Sequence, residues 1–160
     1  MSVFKVGDKV VYPMHGAGTI VAIENREILG KTKQYYVLKM PIGDMKVMVP
    51  VANVGDVGLR QVIDAETVQR VLEELRIKRS LSTANWNRRY RAHLDKMKSG
   101  DVFAIAEVVR NLMLREREKG LSTCERKMLD TARQILLSEV ALAKGIDEEM
   151  ASKLLAQTLE

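Results

Sequence analysis

The sequence predicts an α+β chain of two parts, a small antiparallel β-barrel followed by an all-α helical bundle. Three observations predict it. Up to about Gly58 short runs rich in β-branched and aromatic residues are punctuated by glycines. Beyond Asp64 the apolar residues recur at three- and four-residue spacing. Arginines and lysines crowd into one stretch of the second part.

Strands are expected over Lys9 to Tyr12, Gly18 to Ile28, Gln34 to Met40 and Met45 to Pro50. Tyr35, Val37 and the apolar members of 47–49 suit a pleated, half-buried surface. Hairpin turns are expected at Gly30-Lys31-Thr32 and Gly43-Asp44, because glycine supplies the positive φ that tight turns require. So few strands pack most naturally as a bent barrel of the Tudor or SH3 kind, which buries little area and leaves edges available to a partner. Domain boundaries follow at 1–58 for the barrel, 59–63 for a linker and 64–160 for the helices.

Asp64 caps a helix carrying Val68, Val71, Leu72 and Leu75. A Ser/Thr/Asn cluster, 80–87, then reads as a loop running into a helix N-terminus and presents the sole tryptophan, Trp86. Asp101 opens a helix with Val102, Ile105, Val108, Val109 and Leu112, closed at Lys119-Gly120. Ser122 with Glu125 forms a capping box ahead of Met128, Leu129, Ala132, Ile135, Leu136 and Val140. Asp147 begins a last short helix with Met150, Leu154 and Leu155.

With 46% hydrophobic and 29% charged residues the 160-residue chain is a globular mixture, and its formal net charge of +5 is modest. Distribution matters more than the total. From Arg76 to Lys98 stand Arg76, Lys78, Arg79, Arg88, Arg89, Arg91, Lys96 and Lys98 against the one acid Asp95. Such a concentrated field is what phosphate binding needs, since each neutralised phosphate releases counterions. A lone cysteine, Cys124, forbids an intramolecular disulfide and a cysteine-rich zinc site. The first residues lack an export leader and no apolar run is long enough for a membrane span, so a cytoplasmic protein without cofactor is expected.

Catalytic parts are scarce. His15 and His93 are the two histidines, and neither a nucleophile elbow nor a zinc-protease motif occurs. Leu29-Gly30-Lys31-Thr32 hints at a phosphate loop, but Asn25 stands where that motif needs glycine and no helix follows. A binding protein rather than an enzyme is expected.

Trp86 admits two readings from pattern alone. Trp86, Tyr90, Leu94 and Met97 lie at roughly helical spacing and could be ordinary core. An exposed indole beside Arg88, Arg89 and Arg91 would instead suit a wedge against a base step, with the arginines on phosphates. Those arginines have few acids at helical spacing besides Asp95, so an external anion should neutralise them.

Longer strings narrow the choice. Residues 4–16, Phe-Lys-Val-Gly-Asp-Lys-Val-Val-Tyr-Pro-Met-His-Gly, resemble the opening of the RNA-polymerase interaction domain shared by CarD/CdnL regulators and transcription-repair coupling factor. Residues 85–91, 99–102, 106–110 and 120–129 resemble the CarD/CdnL helical domain, in the family's order along essentially the whole chain. The end at Leu159-Glu160, without a basic tail, resembles the short CdnL-type members. The resemblance implies a regulator that docks on the RNA polymerase β subunit. Its helical domain then meets promoter DNA at the upstream edge of the bubble, without strong sequence specificity, and stabilises the open complex. It further implies polymerase contacts at Arg26, Ile28, Lys46, Met48 and Pro50, although some relatives carry arginine where Met48 stands. DNA contacts are implied at Trp86, Arg88, Arg89, Arg91 and Arg126, which favours the exposed reading of the indole. The cell location implied is the nucleoid, reached through polymerase. The rival expectation is a protein-interaction adaptor with a Tudor-like barrel and no DNA role.

Overall fold

Among the described residues, alternation in the first half folds into a single antiparallel sheet, and the three- to four-residue period of the second half folds into five helices. The structure, a computed structural model, describes residues 4–41, 45–53, 58–77 and 85–159. The strands are β1 (Lys9–Tyr12), β2 (Gly16–Ile28), β3 (Lys31–Lys39), β4 (Lys46–Pro50) and β5 (Arg60–Gln61), ordered β4-β3-β2-β1-β5. The helices are α1 (Ala65–Arg76), α2 (Trp86–Lys98), α3 (Val102–Glu118), α4 (Thr123–Lys144) and α5 (Glu148–Thr158).

Closure into a barrel is not seen among the described residues. No ladder joins β4 to β5, because β5 pairs with β1 over only two positions, Val10 with Gln61 and Val11 with Arg60. The β2–β3 register slips between Ile20 and Ala22, an irregularity of the kind that bends a strand. The stretch read as a linker, 59–63, is held to the sheet: Leu59 is buried in its core, residues 60–61 form β5, and Val62 N–H donates to the Lys9 carbonyl. The turn expected at 30–32 is a two-residue connection, Leu29-Gly30, with φ of 54° and 77°. Both positive values match the right-handed twist of a hairpin. The turn expected at Gly43-Asp44 lies outside the described residues.

One sheet face buries Val10, Ile20, Tyr36, Leu38 and Val49 with Leu59 and Met40. The other rests at one end on α4, where Ala17 N–H donates to Ser138 Oγ at 2.8 Å. Gly16 is required there: its φ is 110° and a Cβ would stand 2.8 Å from that same oxygen.

The helical core draws on all five helices, with Val71 and Leu72 of α1, Met97 of α2, Leu112 of α3, Leu136 of α4 and Leu155 of α5 among its members. Asp64, Asn85, Asp101, Ser122 and Asp147 each accept a backbone N–H at the helix they begin. Such caps satisfy donors that a helix leaves orphaned at its start.

A second joint, centred on a carboxylate, ties sheet to helices. Glu139 of α4, 1% exposed, accepts from Arg60 Nη1 and Nη2 at 2.7 and 2.8 Å and from Ile63 N–H at 3.0 Å. Arg60 Nε donates to the Gly100 carbonyl at 2.7 Å, and Lys9 Nζ to that of Leu142 at 3.1 Å. The fork geometry of guanidinium on carboxylate makes this a directional contact between the two halves.

Candidate nucleic-acid interface

Asn85 sets the start of α2, its side chain accepting from Arg88 N–H at 2.9 Å. The cap makes Trp86 the first helical residue rather than part of a loop. The indole stacks on Tyr90 one turn later, ring centroids 5.0 Å apart and planes 12° from parallel. It is 39% exposed, so the two readings of its spacing meet halfway: one face lies on tyrosine and only part of the rest meets solvent.

Below it lies a polar network. Trp86 Nε1 donates to Ser122 Oγ at 3.1 Å. Ser122 caps α4 by accepting from Glu125 N–H at 3.2 Å, and its hydroxyl lies 3.3 Å from Glu125 Oε1, to which it donates. Glu125, 2% exposed, also accepts from Arg89 Nε at 3.0 Å and Nη2 at 3.4 Å. Burial pushes the Glu125 carboxyl up, but the Arg89 hydrogen bond and charge, aided by Ser122, more than offset this and hold it below its ordinary value.

Arg89, expected on the cationic surface, is therefore 8% exposed and turned inward. The reason is helical phase: Arg89, His93 and Met97 form the buried stripe of α2, and a buried guanidinium needs a carboxylate such as Glu125. Arg88 and Arg91 are exposed and form no ion pair among the described residues. Arg126 also faces solvent, but its Nη1 holds Glu116 at 2.8 Å. Arg88, Arg91, Arg126 and the open edge of Trp86 thus offer cations and an apolar wedge on one module. His93 lies on the buried face of α2 with Nε2 3.5 Å from Asn111 Nδ2. Burial above all, then the Lys96 charge, pushes its pKa down to about 4, so it is neutral at pH 7. Lys78 and Arg79 of the basic stretch lie outside the described residues, as do 80–84.

Register places the sheet residues expected to meet polymerase on one face. Ile28 opposes Lys31, Arg26 opposes Lys33, Lys46 opposes Lys39, Met48 opposes Val37 and Pro50 opposes Tyr35. Directly opposed residues point to the same side, and residues two apart along a strand share it. All five candidates therefore stand on the face opposite Tyr36 and Leu38, and among the described residues β4 is an edge strand. Ile28, Leu29 and Met48 are exposed, while Arg26 pairs with Glu24 at 2.9 Å. The charge opposition of Lys39 and Lys46 favours an acidic neighbour over open solvent.

Comparison with known proteins adds the relationship. Residues 4–63 match the CarD-like/TRCF RID domain family, and residues 70–156 match the family of the CarD C-terminal domain. YdeB of Bacillus subtilis (strain 168), named as a candidate transcription factor, is 42% identical over 146 residues, 91% of this chain and 95% of its own. The chain belongs to the CarD/CdnL family. A solved structure, "CdnLNt from Myxoccoccus xanthus", is 43% identical and covers 39% of this chain and 89% of its own, with a TM-score of 0.34. In this CarD/CdnL-family chain the first match runs through β5, in keeping with the place of residues 60–61 in the sheet.

Three features of this family member are not evident from sequence reasoning: the inward turn of Arg89, the indole's bond to Ser122, and the Arg60–Glu139 joint. The first had a signal, since Arg89 lies four residues before His93 and eight before Met97, on one helical stripe. The other two join residues 36 and 79 positions apart and had none. Among the described residues no cluster of three or more His, Cys, Asp or Glu could hold a metal ion, and no helix is long and apolar enough to cross a membrane. His15 is exposed and tilted against the Tyr12 ring, centroids 4.3 Å apart.

Proposed function

We propose that this protein regulates transcription by docking its sheet on the RNA polymerase β subunit and touching promoter DNA with the start of α2, so that the open complex gains stability. The observation that carries the reading is a half-exposed indole at a helix start with Arg88 and Arg91, unpaired among the described residues, beside it. An apolar edge of that kind suits insertion at a distorted base step, and the arginines suit sequence-independent phosphate contact. Docking raises the local concentration of the helical module at melted DNA, so a weak contact suffices. A ligand shifts an equilibrium only by its differential affinity, and a distorted bubble edge offers a step that closed duplex lacks. Arg88, Arg91 and Arg126 serve as DNA contacts in this reading; Arg89 supports them from below.

On the sheet, Arg26, Ile28, Lys46, Met48 and Pro50 form the docking face beside β4, an edge strand among the described residues, to which an extended polymerase strand can add. Trp86→Ala should shorten open-complex lifetime about tenfold while polymerase capture is unchanged, the factor that ~1.4 kcal/mol of differential binding carries. An unchanged lifetime sinks the wedge. Arg26→Glu should abolish capture of the isolated β lobe; full retention sinks the docking face. A salt titration on promoter fragments separates this reading from a DNA-free adaptor, since phosphate contact is salt-steep.

A further inference from the structure

Trp86, Ser122, Glu125 and Arg89 form an unbroken hydrogen-bonded chain from the half-exposed indole to a buried guanidinium, and it crosses from α2 to α4 and back. We propose that Ser122, Glu125 and Arg89 are positioning residues that fix the orientation of the Trp86 ring before DNA arrives; the inference rests on the wedge reading of Trp86.

Three observations support it. The Ser122 hydroxyl is saturated: it donates to Glu125 Oε1 and accepts from both Glu125 N–H and the indole N–H, which uses one hydrogen and two lone pairs. A saturated hydroxyl has no rotor freedom left, so its acceptor position for the indole is fixed. Second, Glu125 is 2% exposed and anchored by the Arg89 side chain, so the group that holds the exposed Ser122 hydroxyl is itself fixed. Third, Tyr90 lies parallel against the ring, which fixes the remaining tilt. A side chain already ordered loses less freedom on insertion than a mobile one. Helix capping alone explains Ser122 and Glu125, but it does not explain why an arginine is buried to hold the Glu125 side chain or why the indole N–H is bound there.

The test uses the full chain and its single tryptophan. Ser122→Gly removes the indole's acceptor while glycine still tolerates the N-cap position. Glu125→Gln weakens the anchor beneath. Steady-state anisotropy and acrylamide quenching of the indole are read alongside binding to a labelled duplex with a preformed unpaired bubble. Far-UV circular dichroism verifies the fold, and Ser122→Gly keeps the test alive if Glu125→Gln does not fold. We expect lower anisotropy, stronger quenching and roughly fivefold weaker bubble binding, the weight of one ordinary hydrogen bond. In a Trp86→Ala background Ser122→Gly should cost nothing further, because a positioning residue acts through what it positions. Unchanged anisotropy and quenching, or a full additional loss in that background, overturns the proposal. Should Trp86→Ala bind the bubble as tightly as the parent, the wedge reading falls, and the optical signals alone decide whether the network holds the ring.

Discussion

The sheet face and the start of α2 are both candidate contact surfaces, yet they are built in opposite ways. On the sheet, strand alternation and the register across β3 put Arg26, Ile28, Met48 and Pro50 on one side, over a core made of apolar residues such as Tyr36 and Leu38. At α2 the exposed groups sit over buried polar ones: Arg89, Glu125 and His93 lie where a simple amphipathic helix has aliphatic residues. A surface backed by an apolar core tolerates exchange of its outer residues. A surface backed by a buried ion pair depends on both partners, because removing one leaves an uncompensated charge.

The joint between the two regions offers the largest break. Arg60→Ala leaves Glu139 buried without its guanidinium and should cost about 3 kcal/mol in urea unfolding, somewhat less than a fully buried pair because Arg60 keeps partial access to water. A loss under ~0.5 kcal/mol, the range of ordinary surface substitutions, would show that the remaining contacts, the Ala17–Ser138 hydrogen bond among them, suffice to hold sheet to helices.

Acid should then act on the α2 side. His93 has a folded pKa near 4 against an ordinary 6.5, so between those values the unfolded chain binds the proton and the folded one does not. Stability is complete above pH 6.5 and declines as pH falls through that window, by about 2 kcal/mol between pH 6.5 and 5. His93→Leu should flatten that part of the pH profile; an unaltered slope would place the acid sensitivity elsewhere.

Within the sheet, Leu29 occupies the left-handed region at φ 54° and is 97% exposed. Leu29→Gly relieves the strain and should raise the unfolding free energy by about 0.5–1 kcal/mol. No gain would indicate that flexibility added to the unfolded chain cancels the relief. The smallest effect concerns Arg126, which Glu116 partly neutralises. Glu116→Gln should tighten bubble-DNA binding about threefold, the weight of one exposed ion pair. It should also steepen the salt dependence by close to one phosphate's worth. An unchanged salt slope would remove Arg126 from the interface.

The contrast also explains what was legible. Strand positions and the helix caps at Asp64, Asp101, Ser122 and Asp147 depend on residues within a few positions, so pattern reveals them, whereas the face shared by Arg26 and Met48 follows only from the register across β3. Arg89 was misplaced because a cation is assigned to solvent by default, although it shares a helical stripe with His93 and Met97; its carboxylate partner, 36 residues away, leaves no local trace. The two-residue β5 is too short to show any period.

By itself the sequence determined the strand-then-helix order, most helix starts and the stretch where positive charge gathers, since all of these depend on local geometry and spacing. Tertiary structure decided which of three neighbouring arginines is buried, what the indole N–H is bonded to, and how α4 clasps Arg60. Those outcomes arise where segments distant in the chain bring a donor to its acceptor, a carboxylate for Arg60 and Arg89 and a serine hydroxyl for the indole, and local spacing does not encode the partner.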